Sequence, residues 1–192
     1  MPSYYEMNDH LGAPGRWWLD QAQTPVGKKI NGWTFIEAKK LKAMPLITIP
    51  LFENHIYKGK PIDFTFGDCN TPVVNRRTLA LLEKLVPGAF QAFPASIEGQ
   101  KSSYWVINFL HLRKCLDESR SDFTKFTKGK NSVRPDLAGE YSCVYDLKIN
   151  PKLIGDAEIV RLWGWEMTPI VSDRIRRAFI EHKISGVHFT KL

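Results

Sequence analysis

The chain of 192 residues is 43% hydrophobic and 24% charged, a balance typical of a globular protein rather than a disordered one. Its three cysteines are far apart and form no CxxC pair, which argues against a disulfide framework and against a structural zinc site. A formal net charge of +7 favours an acidic partner, whether a protein surface, a nucleic acid or a lipid headgroup.

The first 44 residues are rich in Gly, Pro and Trp and show little periodicity. We expect them to pack on the rest of a single domain that spans residues 1–192, since this length suits one domain. Trp17, Trp18 and Trp33 are the expected anchors of this segment, as large and partly buried side chains.

Two strands and a first strand–helix–strand unit are predicted next. β-branched and apolar residues predict a strand over residues 45–52, and residues 55–66 read as a turn through Gly59 into a second strand. The unit itself spans residues 71–97. Its helix follows Asn75, whose side-chain oxygen can accept a hydrogen bond from the first helical turn.

The middle of the chain combines one clear strand with two less regular stretches. Residues 103–110 are dense in aromatic and β-branched side chains and predict a strand paired with residues 90–97 across a short turn. A helical turn is expected over residues 111–119. Residues 124–140 are polar and broken by Gly and Pro, which predicts an exposed, mobile loop suited to contacts.

Two more strands and a second strand–helix–strand unit complete the chain. The strands are predicted over residues 141–149 and 157–165, on either side of a turn that contains Pro and Gly. The second unit spans residues 168–190, and its helix follows Ser172, another good N-cap residue.

The two strand–helix–strand units resemble each other. An ungapped alignment of residues 71–85 with residues 168–182 gives four identities in fifteen positions, a Thr, a Pro, a Val and an Arg. Pro72 and Pro169 are expected at the start of a strand or at a sheet edge, because proline has no N–H to donate. Apolar or neutral residues follow at helical spacing in both units, at Leu79, Leu81, Leu82, Leu85 and Val86 and at Ile175, Ala178, Phe179 and His182.

Strands interrupted by two recrossing helices predict an α+β fold. We expect a mixed β-sheet that contains the two strand–helix–strand units, at about residues 71–97 and 168–190. The ordinary interpretation of the apolar stripes is packing in the core, without a special role for either unit.

The sequence shows no signature of a known catalytic site. It has no G-x-S-x-G elbow, P-loop, G-x-G-x-x-G or H-E-x-x-H pattern, and its five histidines are scattered. We therefore predict no enzymatic activity, no cofactor and no metal site. The alternative is a small hydrolase or transferase that uses Cys69 or a histidine. Asp68 would raise the pKa of Cys69, and a small buried residue is the favoured interpretation of that cysteine.

Two basic clusters, at residues 28–42 and 113–134, mix Lys and Arg with aromatic residues, as nucleic-acid binders do. Neither contains a helix-turn-helix, an RNA-recognition motif or a zinc finger, so nucleic acid is the less favoured partner. No apolar run approaches the about 20 residues of a membrane span, and the start lacks a basic region followed by an apolar one. We expect a cytoplasmic protein without membrane contact.

Several segments, in this order along residues 45–192, resemble immunity protein family eleven of the bacterial polymorphic-toxin systems. They are "PIDF", "TPVVNRRTLALLEKL", "YWVINFLHLRKCLDESRSDF", "LKINPKLIGDAEIVRL" and "IVSDRIRRAFIEHKISGVHF". The resemblance implies a non-catalytic protein that binds and neutralises a cognate toxin effector in bacterial competition, with type VI secretion as an expected context. It leaves the Trp-rich start unassigned and the oligomeric state open.

The resemblance assigns its motif residues to the fold, as capping, turn and hydrogen-bonding residues. These residues are Asp63, Asn108, Asp117, Ser119, Ser172, Asp173, Gly186 and Phe189.

The candidates for toxin contact lie in the 124–134 loop and on the outward face of the last helix. They are Lys125, Lys128, Lys130 and Arg134 in the loop, and Arg174, Arg176, Arg177 and Glu181 in the helix. The alternative is that they are solvated surface charges, which contribute little to affinity.

Overall fold

The computed structural model describes residues 2–10, 16–42, 44, 46–51, 60–129 and 132–192. This part of the chain contains two α-helices, α1 (Arg76–Leu85) and α2 (Asp173–Glu181), neither of them long and apolar enough to cross a membrane. It also contains twelve strands: β1 (Tyr4–Asp9), β2 (Ile47–Ile49), β3 (Phe64–Phe66), β4 (Pro72–Asn75), β5 (Phe90–Ile97), β6 (Tyr104–Phe109), β7 (Leu112–Arg113), β8 (Asp122–Lys125), β9 (Tyr141–Asp146), β10 (Ile159–Leu162), β11 (Trp165–Ser172) and β12 (Val187–Lys191).

The strands form two five-stranded sheets and a two-stranded ribbon. The first sheet has the order β2-β5-β6-β4-β3, the second has the order β12-β1-β11-β10-β7, and β8 pairs with β9 in the ribbon. Both large sheets are mixed, because β2 is parallel to β5 and β7 is parallel to β10 while the other neighbours are antiparallel. The predicted α+β class is confirmed, with the strands divided over two mixed sheets.

Each helix joins two parallel strands that have an antiparallel strand between them. In the first unit α1 connects β4 to β5, and β6 lies between these strands. In the second unit α2 connects β11 to β12, and β1 lies between them. On the other side of β4 and β11 lie β3 and β10, and each of them is antiparallel to its neighbour. The two predicted units therefore share one spatial arrangement of strands and helix.

The middle strand stands at a different point of the sequence in each unit. β6 follows β5 directly, whereas β1 is the first and β12 the last of the described strands, and the two pair with each other. A hydrogen bond of 3.1 Å from the Leu192 N–H to the Tyr4 carbonyl closes this pair. The second unit is thus a circularly permuted counterpart of the first.

The helices begin at capping residues and bury their apolar stripes between the sheets. Asn75 accepts a hydrogen bond from the Thr78 N–H at 3.0 Å, and Ser172 accepts one from the Ile175 N–H at 3.3 Å. His182, predicted on the apolar face, is exposed because it lies beyond the last residue of α2. One core cluster holds buried side chains from both helices and both sheets, among them Met7, Phe64, Val74, Leu79, Leu82, Ile107, Phe109, Ile159, Val171, Ile175 and Phe179.

Pro169 departs from the prediction. Pro72 begins β4, as predicted, but Pro169 lies inside β11, which is a central strand. It stands opposite Arg161 beside a register shift in β10, one residue before Ile170, where the pairing with β1 ends. Because the pairing is irregular there, the strand tolerates a residue without an N–H donor.

Residues 111–125 also differ from the prediction. The helical turn expected over residues 111–119 forms only at its end, where the Asp117 carbonyl accepts hydrogen bonds from the Arg120 and Ser121 N–H groups at 3.1 Å and 3.0 Å. Residues 112–113 form β7 instead, which extends the second sheet. The first two residues of the loop expected over residues 124–140 belong to β8. Strands of two to four residues are too short to show a periodicity in the sequence.

The N-terminal segment is only partly as expected. Trp17 is fully buried, whereas Trp18 and Trp33 are 39% and 43% exposed. The strand expected over residues 45–52 is reduced to β2 in the described residues, and most of the expected turn, through residue 59, lies outside them.

Candidate functional site

Asp63 connects the start of α1 to the turn that follows α2. Its Oδ1 accepts a hydrogen bond from Asn75 Nδ2 at 2.7 Å, and its Oδ2 accepts from the N–H and the hydroxyl of Ser185, both at 2.8 Å. Arg77 Nη1 lies 3.7 Å from the same carboxylate. Burial alone would raise the pKa of Asp63, but these hydrogen bonds and the arginine outweigh it, so the pKa lies below its ordinary value.

Glu158 occupies the equivalent place in the second unit, immediately before β10. Its carboxylate accepts hydrogen bonds from the hydroxyl of Ser172 and from Arg174 Nε, the latter at 3.0 Å. The backbone repeats the pattern, since the Ser172 N–H donates to the Glu158 carbonyl at 2.9 Å and the Asn75 N–H to the Asp63 carbonyl at 3.0 Å. In both units a carboxylate, immediately before β3 or β10, therefore accepts a hydrogen bond from the N-cap residue of the helix.

Arg77 and Arg174, the aligned arginines of the two units, join the helices reciprocally. Arg174 Nη2 donates to the carbonyl of Leu85 at the end of α1, at 2.7 Å, and Arg77 Nη2 donates to the carbonyl of His182 at the end of α2. Leu85 and His182 are aligned positions as well, so the contacts have the self-complementary form of a two-fold interface. Each guanidinium neutralises the partial negative charge of a helix C-terminus. Arg174, a predicted toxin contact, is thus engaged within the fold.

Gly186 and Phe189 place the start of β12 against β3 and its middle against α2. Gly186 has a φ of +87°, and a Cβ at this position would collide with the Phe64 carbonyl oxygen. The ring of Phe189 packs edge-to-face on Phe179 of α2, with 6.0 Å between the centroids.

The remaining motif residues also form hydrogen bonds within the fold. Asp117 accepts from the Ser119 hydroxyl at 2.6 Å and from Arg120 Nε at 2.7 Å, and these bonds hold the pKa of Asp117 below its ordinary value. Asn108 is fully buried and donates to the Lys39 carbonyl at 2.7 Å.

The candidate contacts of the 124–134 loop are dispersed. Lys125 and Arg134 each form an ion pair with a nearby carboxylate, at 2.6 Å and 2.7 Å, and Lys128 is exposed. Lys125 also borders a polar cavity of about 440 Å³. Lys130 lies outside the described residues. Its role as a toxin contact stays a prediction, as it does for the rest of the loop.

On the outward side of α2, the candidate residues surround one carboxylate. Asp173 pairs with Arg176 at 2.9 Å and with Arg177 at 2.6 Å. Arg176 also lies over the ring of Tyr5, 4.7 Å from its centroid. Arg177 is 74% exposed in its side chain, and Glu181 is exposed as well. Both residues are accessible charges on the candidate face.

A basic groove of about 440 Å³ lies between α2 and β12, a feature that the sequence motifs did not indicate. Its walls combine three cations with apolar side chains, and no carboxylate lines it among the described residues. Ile180 contributes an apolar side chain that is 56% exposed. The residues used below are Arg176, Ile180, Lys183, Val187, Phe189 and Lys191. We refer to this feature as the basic groove.

Arg161 is a fully buried cation that no motif singled out. Its Nη1 donates to the carbonyls of Glu166 and Met167, at 2.6 Å and 3.2 Å, and the Phe109 ring lies 5.8 Å from the guanidinium carbon. Burial lowers the pKa of Arg161 to about 9. One sequence signal for the burial of Arg161 exists: it stands two residues after Ile159, so both side chains lie on the same face of β10.

Cys69 lies in a setting that suppresses its reactivity. Burial and the neighbouring Asp68 carboxylate raise the pKa of Cys69 to about 11, so the thiol is protonated at neutral pH. Over the ranges that the structure describes, no group of three or more His, Cys, Asp and Glu side chains is arranged to hold a metal ion.

Comparison with protein families gives a match over residues 1–192, to the profile described as Immunity protein family (Imm11). The chain belongs to the Imm11 family. The match includes the Trp-rich start, which the sequence motifs left unassigned. A comparison with curated proteins finds no match. Imm11 membership suggests an immunity protein, a class that is in general non-catalytic and binds a cognate toxin.

The charged surfaces of this Imm11 protein divide into engaged and open parts. Asp63, Glu158 and the two aligned arginines hold the helix pair together. The basic groove and the exposed end of α2 remain open in the described part of the chain.

Proposed function

We propose that this Imm11 protein is a non-catalytic inhibitor of one cognate toxin effector. It binds the toxin in the cytoplasm of the producing bacterium, as part of a polymorphic-toxin or type VI effector–immunity pair. The observation that carries the proposal is the family match over residues 1–192.

The charge of the chain favours a toxin with an acidic binding surface. The sequence has 27 Lys and Arg residues against 20 Asp and Glu residues. A basic surface accelerates association with an acidic partner, and buried aromatic or arginine anchors then slow dissociation. An inhibitor that acts in this way needs surface complementarity and no catalytic residue.

Co-expression with the product of the adjacent gene tests the proposal. We expect that product to stop growth when expressed alone, this chain to restore growth, and the two proteins to elute together in a one-to-one complex from a sizing column. Cys69→Ala should restore growth as well as the original chain does, because a thiol that is protonated at neutral pH is not a nucleophile and neutralisation needs none. Gly186→Leu should abolish rescue, because its side chain would collide with the Phe64 carbonyl and prevent folding.

Three results would contradict the proposal. One is an adjacent product that is harmless and forms no complex. A second is a folded Cys69→Ala variant that still binds the toxin but loses rescue, which would indicate catalysis. The third is affinity for nucleic acid that falls steeply with salt concentration, which would indicate that the binding partner is a nucleic acid and not a toxin.

A further inference from the structure

The edges of the two large sheets are protected to different degrees. β2 is covered by Gln23, which exchanges hydrogen bonds of 2.8 Å and 2.9 Å with Thr48. β3 is covered at Phe64 by the Ser185 carbonyl, at 3.0 Å, and at its other end by a carboxylate. β7 has only two residues. In the described part of the chain, no strand or side chain covers the outer edge of β12 in this way.

The free hydrogen-bonding groups of β12 can be assigned from its pairing with β1. The His10 N–H donates to the Gly186 carbonyl at 3.0 Å, and the Leu192 N–H donates to the Tyr4 carbonyl at 3.1 Å. Hydrogen-bonded pairs alternate along an antiparallel pair, so the peptide groups of residues 188 and 190 point towards β1. Those of residues 187, 189 and 191 point outwards. An open edge of this kind is a template for another strand.

The first unit shows what occupies the equivalent edge. β5 and β12 hold equivalent places, because each receives the chain from the helix and each pairs with the middle strand. On its outer side β5 carries β2, which is parallel to it, with Ile47 opposite Ala95 and Ile49 opposite Ile97. The second unit lacks this strand in the described residues.

The basic groove beside β12 defines the chemistry of the missing strand. Lys183, Lys191 and Arg176 line it, although Arg176 is partly neutralised by Asp173. Ile180 offers an exposed apolar contact. A second copy of this chain is disfavoured here, because pairing two β12 edges would bring two sets of cations together.

From this combination we infer that the open edge of β12 and the basic groove receive an extended, acidic segment of the toxin, added as a strand parallel to β12. The inference rests on the proposed function and specifies where and how the toxin binds. Backbone hydrogen bonds to residues 187, 189 and 191 supply the attachment, as in other cases of strand addition. The cations and Ile180 select acidic and apolar side chains.

Amide hydrogen exchange, followed residue by residue by NMR, tests the strand addition with the free chain and with its complex with the adjacent gene product. In the free chain the amides of residues 188 and 190 should be protected, while those of residues 187, 189 and 191 exchange rapidly. In the complex the latter three should gain at least about 10-fold in protection.

A charge-reversal pair tests the groove with the same complex. Lys183→Glu with Lys191→Glu should raise the Kd at least about 10-fold, whereas the matched control Lys101→Glu with Lys152→Glu should change it by less than about 3-fold. The control residues are exposed and lie outside the groove. Thermal unfolding of all variants checks that they are folded.

The outcomes separate this inference from the proposed function. A neutralising complex without new protection at residues 187, 189 and 191, or with equal effects of the two charge reversals, overturns the inference and leaves the function standing. A free chain that is already dimeric and protected at these residues also overturns it. Absence of any complex removes both.

Discussion

Asp63 shows how one carboxylate supports several elements. It receives hydrogen bonds from the N-cap residue of α1 and from Ser185, which precedes β12 by two residues. A carboxyl whose pKa is lower in the folded chain stabilises the fold above its unfolded pKa, and this stabilisation is lost as the pH falls through the folded pKa. For Asp63, with its lowered pKa, the loss occurs below about pH 4.

We expect Asp63→Asn to lower the free energy of unfolding at pH 7 by about 1–3 kcal/mol, because an amide nitrogen would face hydrogen-bond donors. The difference between the original chain and the variant should shrink below about pH 4, where Asp63 itself becomes protonated. Urea unfolding at pH 7 and at several lower values measures both effects.

Asp136→Asn serves as the control, because Asp136 forms an exposed ion pair with Arg134. It should leave the free energy of unfolding unchanged within the error of the measurement. A difference for Asp63→Asn that stays constant with pH would show that its charge has no role.

At the scale of elements, the helix pair depends on two equivalent arginines. Arg77 and Arg174 stand at the second position of their helices, and each binds a carbonyl at the end of the other helix. The contacts therefore fix the relative position of α1 and α2 at both ends.

We expect Arg77→Ala and Arg174→Ala each to lower the free energy of unfolding by about 0.5–1.5 kcal/mol, through loss of the carbonyl hydrogen bond and the helix-end charge. Arg177→Ala, which removes a mostly exposed arginine from the same helix, should cost less than about 0.5 kcal/mol. Denaturant unfolding of the three variants makes the comparison, and equal losses in all three would mean that the reciprocal contacts contribute nothing specific.

The elements that the sequence predicts well are those defined by local patterns. Residues 90–97 form β5 as predicted, because the aromatic and apolar residues and the following turn mark the strand locally. The N-caps Asn75 and Ser172 are likewise local signals. By contrast, β1 contains Glu6 and Asp9 and depends on partners near the other end of the chain, which no local pattern reveals.

The candidate site was less predictable for the same physical reason. The alignment already paired Arg77 with Arg174, but only the packing of the helices shows that each guanidinium binds a carbonyl at the end of the other helix. Asp63 and Glu158 lie outside the aligned residues and at different distances from their N-caps, 12 and 14 positions. The basic groove joins Tyr5 to residues 176–191, so it exists only after the chain has folded.

At the scale of the whole molecule, the two units differ in connectivity but not in strand arrangement. The order β3-β4-β6-β5 in one corresponds to β10-β11-β1-β12 in the other. The Leu192 N–H donates a hydrogen bond to the Tyr4 carbonyl, so the end of β12 is adjacent to the start of β1. Joining them creates the hairpin that β5 and β6 already form.

We expect a circular permutant that links Leu192 to Pro2 through a short Gly-Ser segment and opens between Gly99 and Gln100 to fold cooperatively. Its free energy of unfolding should lie within about 2 kcal/mol of the original, because the cut falls in an exposed turn and each unit adopts the connectivity of the other. Urea unfolding and a sizing column give the comparison.

A second permutant, opened between Leu81 and Leu82 in α1, is the matched control. It should fail to fold, since both residues are buried in the core. Failure of the permutant opened at Gly99 would show that the order of the strands matters beyond their arrangement.

The insertion of β1 between β11 and β12 also sets an order of events during synthesis. The strands of the first sheet lie within residues 47–109 and can pair while the ribosome is still at work. β1, though made before them, has neither neighbour until residues 165–191 emerge, because it pairs with β11 and β12. Among the described strands, the edge inferred to capture the toxin is therefore the last to be made, and only chains translated to the end of β12 acquire it.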